Sequence, residues 1–445
     1  MATTPELTQH ALQALRRQGS VLTSAELQVT LGVSQPTVSR ALSPLIQSGQ
    51  VLKVGAARSQ RYVLARNVPG VGREVQVMRI DALGQPSPFA RLVPLEGGAF
   101  WVDEADGLSE RHDGLPWFLE DMRPQGFMGR TFAHSHPELQ LGNDPRHWND
   151  DDVLRALTLY GDDLPGNLIL GEAAFARFFA LPERSSRVDS ALDYPRLADQ
   201  AMLGTHPGSS AGGEQPKFCT ICAGRPVLVK FSPAGDSPVD QRLRDLLVCE
   251  HLALQTLAAA GIPAARTQIH SGAGRIFLES ERFDRIPSAV GASGQLGRIG
   301  MVSLQVHDAQ FIGEMDNWAA TANRMLARRQ LQAGDARTLR LLEAYGQLIA
   351  NTDRHYGNIS LLIQGDDWVL SPTYDMLPML YAPVGGELVA RDFAARPLQP
   401  TAATLPEWPQ ARALAISFWQ AAAADTRISA PFRQICANNL AHLAG

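Results

Sequence analysis

The first 66 residues carry apolar positions at helical spacing in three segments, followed by two short apolar strands. The predicted helices cover 6–18 and 25–31 and a third segment after Val33-Ser34, and the predicted strands cover 50–54 and 61–64. Thr23 or Ser24 caps the second helix and Gly32 ends it, while Pro36 falls in the first turn of the third, where proline is tolerated. Three helices and a β-wing predict a winged helix-turn-helix over residues 1–66.

A different pattern begins after a linker at 67–73. Short strands separated by Gly/Pro turns run from residue 74 to about residue 100, and a strand at 227–231 precedes a helix at 241–260. Beyond residue 300 the spacing of apolar residues is mostly helical. We therefore expect an α+β body in which strands dominate early and helices dominate late.

One amphipathic helix of this body ends in a polar octet, Asn351-Thr352-Asp353-Arg354-His355-Tyr356-Gly357-Asn358. Apolar runs at 359–363 and 368–370 follow and predict a β-hairpin. If Asp366-Asp367 is its two-residue turn, Gly365 faces Trp368. The same register then places Asn358 opposite Asp375.

The side chains of this region favour phosphoryl transfer. Oxygen ligands from Asn358 and Asp375 suit Mg²⁺, which usually shares its coordination with substrate phosphates. Asp353 lies on the same loop, where a carboxylate can orient or deprotonate a hydroxyl. The alternative is a polar loop that merely ends a helix, in which Asn and Asp are common.

Two upstream segments have features of a phosphate site. Residues 208–217 are rich in small residues, including Gly212 and Gly213, which let backbone amides approach an anion. Lys230 lies on the strand at 227–231, as a kinase lysine that contacts nucleotide phosphates does. Glu250, on the following helix, is the candidate partner of Lys230 in preference to the shorter Asp245. The alternatives are a flexible surface turn and a solvated helix charge.

Composition limits the remaining choices. The chain has 445 residues and a net charge of −5, but residues 1–66 carry seven Lys/Arg and two Asp/Glu, so a basic end precedes an acidic body. That asymmetry favours contact between duplex DNA and the N-terminal segment. Four scattered cysteines indicate buried thiols rather than a disulfide framework. Neither a signal peptide nor a run of 18 apolar residues is present, so we expect a cytoplasmic protein that does not contact membranes.

Within the predicted winged helix, the third helix is expected to enter the major groove. Its leading polar residues are expected near base edges, and two arginines of the wing near phosphates. The first group comprises Gln35, Thr37, Ser39 and Arg40, and the second Arg58 and Arg61. The alternative is a helix-turn-helix that is retained for protein contacts.

Five segments in order resemble the HipA-like serine/threonine kinases, a bacterial toxin family with a protein-kinase-like fold. They are the Leu-Pro…Pro-x-Gly stretch at 115–126, the loop ending in Gln-Pro-Lys at 217, the strand bearing Lys230, Glu-Arg-Phe-Asp-Arg at 281–285, and the Asp353 octet followed by Tyr-Asp at 375. The basic N-terminal domain is an addition to the family's usual arrangement. It leaves open whether a separate antitoxin is needed.

The resemblance implies a two-lobed kinase fold with an N-terminal lobe at 74–285 and a mainly helical lobe at 286–445. The first lobe would hold a subdomain at about 74–180, the Gly-rich loop at 207–217 and the nucleotide-binding strands. It also implies ATP and Mg²⁺ as cofactors, a protein hydroxyl as acceptor, and autophosphorylation of Ser210 or its neighbour Ser209. The implied catalytic residues are Asp353 and His355, the metal ligands Asn358 and Asp375, and the nucleotide-binding residues Ser210, Gly212, Gly213, Lys217, Lys230, Glu250, Glu281 and Phe283.

Two other functions remain open from the sequence. One is a DNA-binding regulator whose kinase fold only senses a nucleotide. The other is a nuclease in which Asp353, His355 and Asp375 hold a metal for phosphodiester hydrolysis, because the same carboxylates serve either chemistry.

Overall fold

A computed structural model describes residues 4–55, 60–184, 187–203, 215–287, 295–365, 367–396 and 398–444. Its contacts divide the chain into two compact units. The first comprises Met1–Arg123, Glu138–Gly142 and Arg146–Glu183, and the second comprises Pro124–Pro137, Asn143–Pro145 and Arg184–Gly445. Among the described residues, none of the helices combines the length and apolar character needed to cross a bilayer.

The helices and strands are numbered in chain order. The helices are α1 (Thr4–Arg17), α2 (Ser24–Leu31), α3 (Gln35–Gln47), α4 (Trp117–Glu120), α5 (Gly126–Ser135), α6 (Asp150–Tyr160), α7 (Gly171–Arg184), α8 (Tyr194–Met202), α9 (Pro238–Ala259), α10 (Leu304–Phe311), α11 (Trp318–Ala327), α12 (Ala333–Leu348), α13 (Trp408–Ala424) and α14 (Ala430–Ala444). The strands are β1 (Val21–Thr23), β2 (Val51–Val54), β3 (Arg61–Leu64), β4 (Val75–Ile80), β5 (Pro86–Pro94), β6 (Phe100–Glu104), β7 (Ser109–His112), β8 (Leu168–Leu170), β9 (Arg187–Val188), β10 (Lys217–Cys222), β11 (Arg225–Phe231), β12 (Thr267–Gly272), β13 (Arg275–Glu281), β14 (Arg285–Ile286), β15 (Gly297–Arg298), β16 (Met301–Ser303), β17 (Ser360–Gln364) and β18 (Asp367–Leu370).

The N-terminal module, α1 to β3, contains the three predicted helices and both predicted strands, with β1 as a third strand in the order β1-β3-β2. A capping box between Thr23 and Glu26 starts α2, and Gly32 at a φ of 64° ends it. The apolar faces of the helices meet in one core around Leu15, Val38 and Leu42. Local signals therefore suffice to explain these boundaries.

The N-terminal module shares a core with the antiparallel sheet β7-β6-β5-β4-β8 of the same unit. Val54 and Val63 of the module pack with Val93 and Trp101 of the sheet. Arg66, at the junction, lies 2.6 Å from a carboxylate oxygen of Asp151 and donates to the backbone carbonyls of Leu95 and Ala99, in the turn between β5 and β6. The N-terminal module and the sheet therefore share an apolar core and an ion pair within the first unit.

The second unit begins with a five-stranded sheet in the order β12-β13-β11-β10-β9. Tyr194 of α8 packs with Phe218, Phe231 and Phe277 on one face of this sheet. The long helix α9 contacts β11, β12 and β13, and its Glu250 reaches the side chain of Lys230 on the other face. Because side chains alternate along a strand, Lys230 points away from the aromatic core of its neighbour Phe231.

The rest of the second unit is mainly helical. Helices α11, α12, α13 and α14 pack in sequence, each against the next. A small antiparallel sheet, β16-β17-β18, contacts α12 through β18 and contacts the loop between α12 and β17 through β16. That loop carries the polar octet.

Candidate active site

Lys230 of β11 is the centre of a buried ion-pair cluster. Its Nζ lies 2.7 Å and 2.9 Å from the two carboxylate oxygens of Glu250, and it also contacts Asp375. The side chains of Lys230 and Glu250 are only 9% and 4% exposed. The predicted pairing of Lys230 with Glu250 is confirmed. Asp245 instead accepts hydrogen bonds from the backbone N–H and the hydroxyl of Ser429, just before α14.

The cluster keeps its lysine cationic. Burial alone lowers the pKa of Lys230, but the carboxylates of Asp375 and Glu250 more than offset this and raise it above its ordinary value. Burial raises the pKa of Asp375, yet Lys230 and Lys217 together bring it below the usual value. Lys217 faces Lys230 across the β10–β11 pair. The result is an ammonium group fixed between two carboxylates, with a second cation beside it.

The hairpin after the octet has a different register from the predicted one. Ile363, rather than Gly365, faces Trp368, and Gln364 faces Asp367. If this register continued along the two chain segments, Asn358 would face Thr373. The prediction that strand pairing places Asn358 opposite Asp375 is therefore wrong. The physical reason is Gly365, which adopts a φ of 63° and takes a turn position that suits glycine.

Side chains, not strand pairing, connect the Asp375 segment to the octet. The hydroxyl of Tyr374 donates to the carbonyl of Gly357 at 3.1 Å and lies 2.7 Å from the hydroxyl of Ser360. On the other flank, the Asn351 amide lies 3.5 Å from the sulfur of Met376. Asp375 itself has a φ of 52°, a strained value for a residue with a side chain. Both neighbours of Asp375 are thus anchored to the octet.

Within the octet, Asp353 presents a carboxylate to solvent. Its side chain is 50% exposed and lies 3.7 Å from the imidazole of His355. The Asn358 amide donates to the backbone carbonyl of Asp353 at 2.9 Å, and the Asn351 side chain accepts from the Asp353 amide at 2.9 Å. The backbone of Asp353 is held on both sides while its carboxylate remains accessible. This is the geometry that a base acting on an incoming hydroxyl requires.

Asn358 is also suited to a cation. It is buried, and its amide nitrogen donates to the backbone carbonyl of Asp353. The amide oxygen has no hydrogen-bond partner among the described residues. Asp375 offers a carboxylate on the tethered segment. Amide and carboxylate oxygens are ligands that Mg²⁺ accepts, with the remaining positions filled by water or phosphate. Over the same part of the chain, no cluster of three or more His, Cys, Asp or Glu side chains forms a metal site.

A contact that the sequence did not reveal fixes the octet to α12. The Arg354 guanidinium lies 3.0 Å from the carboxylate of Glu343, which is only 4% exposed, and it donates to the carbonyl of Asn351. The arginine stem occupies the space beside Gly346, where a Cβ atom would lie 2.6 Å from its Cδ. The signal in the sequence was an acid on the apolar face of α12, in line with Leu339 and Leu342.

The other predicted site residues lie in separate places. The carboxylate of Glu281 pairs with Arg225 at 3.1 Å, and the ring of Phe283 lies 5.7 Å from that of Tyr374. On α3, Gln35, Ser39 and Arg40 are exposed, whereas Thr37 and the Arg61 side chain on β3 are half-buried. The predicted residues Ser209, Ser210, Gly212, Gly213 and Arg58 lie outside the described residues.

Comparison with known proteins agrees with this arrangement. Residues 71–179 match the family described as YjjJ-like toxin, middle domain, and residues 209–440 match the HipA-like C-terminal domain. The chain is 36% identical over 440 residues to Toxin YjjJ of Escherichia coli (strain K12), which covers 97% of this chain and 95% of that protein. A chain in the HipA, HipB and operator DNA complex of Shewanella oneidensis MR-1 superimposes with a TM-score of 0.53 at 13% identity, over 82% of this chain and 95% of the other. The last similarity establishes a HipA-like fold.

Proposed function

This chain belongs to the family of HipA-like toxins that includes YjjJ, and from that premise we propose that it is an ATP- and Mg²⁺-dependent serine/threonine kinase. The observation that carries the proposal is the buried cluster in which Lys230 joins Glu250 to Asp375. Such a lysine and carboxylate set is the arrangement with which kinase folds hold nucleotide phosphates and metal. The exposed carboxylate of Asp353 supplies the base that the transfer to a hydroxyl requires.

In the proposed reaction a substrate hydroxyl oxygen attacks the γ-phosphorus of ATP. The bond from that phosphorus to the β,γ-bridging oxygen breaks, ADP leaves, and the hydroxyl proton passes to Asp353. Lys230 neutralises phosphate charge, and Glu250 holds the ammonium in place. Asn358 and Asp375 would hold Mg²⁺, which offsets the charge that develops on the phosphate oxygens. His355, 3.7 Å from Asp353, helps to orient that carboxylate.

The accessibility of Asp353 favours this function over the two alternatives. A nuclease centre formed by Asp353, His355 and Asp375 would require these three side chains to converge on one metal, and among the described residues no three His, Cys, Asp or Glu side chains are grouped in that way. A protein that only senses nucleotide has no need for an exposed base on a loop held at both sides. The acceptor in our proposal is a hydroxyl of a protein substrate.

The kinase proposal is tested with labelled ATP and Mg²⁺. We expect the wild-type protein to transfer phosphate to itself or to an added protein, and we expect Asp353→Asn to lose this transfer while it still binds nucleotide. Asp367→Asn, an exposed acid on β18, is the matched control and should behave as the wild type. Equal transfer by wild type and Asp353→Asn would refute the role of Asp353.

The same incubation tests self-modification. Intact-mass measurement should show an added phosphate on the wild type that is absent from a Ser209→Ala/Ser210→Ala protein. A phosphate carries about −1.5 to −2 charges at neutral pH and would compete with ATP for backbone donors of the loop. The modified protein should therefore bind ATP more weakly, and unchanged affinity would rule the switch out.

We further propose that the N-terminal module is a winged helix-turn-helix that binds duplex DNA. The proposed partners of the whole chain are this DNA, a protein substrate and an antitoxin protein. Support comes from the basic charge of residues 1–66 and from the exposed polar residues Gln35, Ser39 and Arg40 at the start of α3. In the full chain, Arg40→Ala should relax sequence preference, and Arg58→Ala should weaken all binding and flatten its salt dependence. Arg391→Ala, in the second unit, is the charge-matched control. DNA affinity that is insensitive to both N-terminal changes would contradict the proposal.

A further inference from the structure

The helical part of the second unit contains a cavity of about 310 Å³ that the proposed reaction does not use. Its apolar wall is formed by Leu348 at the end of α12 and Leu443 near the end of α14, which are 1% and 3% exposed. Trp408, the first residue of α13, adds an indole surface. The cavity is thus a recess bounded by three helices, with an apolar floor beneath a partly polar lining.

The lining of the cavity also includes three basic residues, Arg396, Arg412 and His442. Over the residues that the structure describes, no carboxylate lines the cavity, and neither guanidinium forms a hydrogen bond or an ion pair through its side chain. The acid nearest to Trp408 in the sequence, Glu407, is already paired with Arg340 at 2.8 Å. Two arginines therefore converge on one recess without a counter-charge.

We propose that this cavity binds a small organic anion, a phosphate or carboxylate whose uncharged part is apolar or planar. Guanidinium groups present paired donors that match a phosphate or a carboxylate. The volume lies at the lower end of the range for small-molecule sites, which combine apolar walls with a few polar groups. The half-buried Leu398 and Trp408 contact the uncharged part, and Arg396 and Arg412 contact the anion. None of these residues belongs to the Lys230 cluster or to the octet, so the cavity uses a different set of side chains from the proposed active site.

The test uses calorimetric titration of the full chain with phenyl phosphate. We expect one saturable site, with a dissociation constant no weaker than about 1 mM. Inorganic phosphate should bind about tenfold more weakly, because burial of roughly 60 Å² of ring surface is lost. Arg396→Ala/Arg412→Ala should weaken phenyl phosphate binding at least about tenfold, since each arginine supplies a charge-assisted hydrogen bond. Both arginines are exposed, so the double variant is expected to fold.

Two controls locate the site. Arg266→Ala/Arg391→Ala removes the same charge from exposed positions outside the cavity and should leave the affinity unchanged. Lys230→Ala removes the phosphate-binding lysine of the proposed active site and should also leave the affinity unchanged. Absence of saturable phenyl phosphate binding by the wild type would overturn the proposal. Equal binding by wild type and Arg396→Ala/Arg412→Ala, or loss of binding in Lys230→Ala alone, would overturn it as well. None of these outcomes depends on whether the protein transfers phosphate.

Discussion

Gly346 of α12 allows the Arg354 side chain to hold the octet against that helix, and Gly346→Ala tests this contact. A Cβ at position 346 would lie 2.6 Å from Cδ and 3.3 Å from Cγ of Arg354. The guanidinium cannot retreat freely, because it is bonded to Glu343 and to the carbonyl of Asn351. The added methyl group must therefore displace the arginine and weaken its ion pair.

The magnitude follows from two opposing terms. Replacing glycine by alanine inside a helix contributes about 1 kcal/mol of stability. Breaking the pair with the buried Glu343 costs about 2 to 3 kcal/mol, less than for a fully buried pair because Arg354 is 22% exposed. We expect Gly346→Ala to lower the free energy of unfolding by about 1 to 2 kcal/mol. In an Arg354→Ala background the clash is absent, and the same change should stabilise by about 1 kcal/mol.

Urea unfolding of the four proteins of this double-mutant cycle measures the coupling. Independent sites add to within about 0.5 kcal/mol, so a coupling energy below that value would refute the reasoning. Gly334→Ala is the matched control on the same helix, because a Cβ there meets no atom within 4 Å. It should be neutral or stabilising in both backgrounds. If the octet is catalytic as proposed, Gly346→Ala should also reduce phosphate transfer, whereas Gly334→Ala should not.

Two further predictions concern stability. Arg66→Met should destabilise the first unit by about 2 to 3 kcal/mol in urea unfolding, because it removes the ion pair with Asp151 and leaves two carbonyls without their donor. Arg17→Met, at an exposed position, is the control and should change stability little. Equal effects of the two substitutions would contradict the shared core. Burial lowers the pKa of His307 to about 4, below the value of about 6.5 in an unfolded chain. Between these values the unfolded chain binds the extra proton, so this contribution to stability is complete above pH 6.5 and falls as the pH drops toward 4. His307→Phe should make the unfolding free energy less dependent on pH across this window, and an unchanged slope would disprove the contribution.

The sequence alone determined the features that local physics controls. Apolar spacing, the Thr23 cap and Gly32 gave the three N-terminal helices, and the structure has them. The greater length of the glutamate side chain selected Glu250 over Asp245 as the partner of Lys230, and the structure has this pair. The polar octet at the end of an amphipathic helix marked the candidate site, because Asn and Asp oxygens suit Mg²⁺ and a carboxylate can orient or deprotonate a hydroxyl.

Tertiary structure decided what connects distant segments. Asp375 meets Lys230 across 145 positions of the chain, and Arg66 meets Asp151 across 85. No local pattern encodes such pairs, because they depend on how finished helices and sheets pack. The hairpin shows that sequence pattern also fails to fix strand register between neighbouring segments. A turn moved by one residue changes which side chains face each other, and Tyr374 rather than the ladder tethers the Asp375 segment to the octet. The sequence therefore identified the candidate residues, and packing determined how they come together.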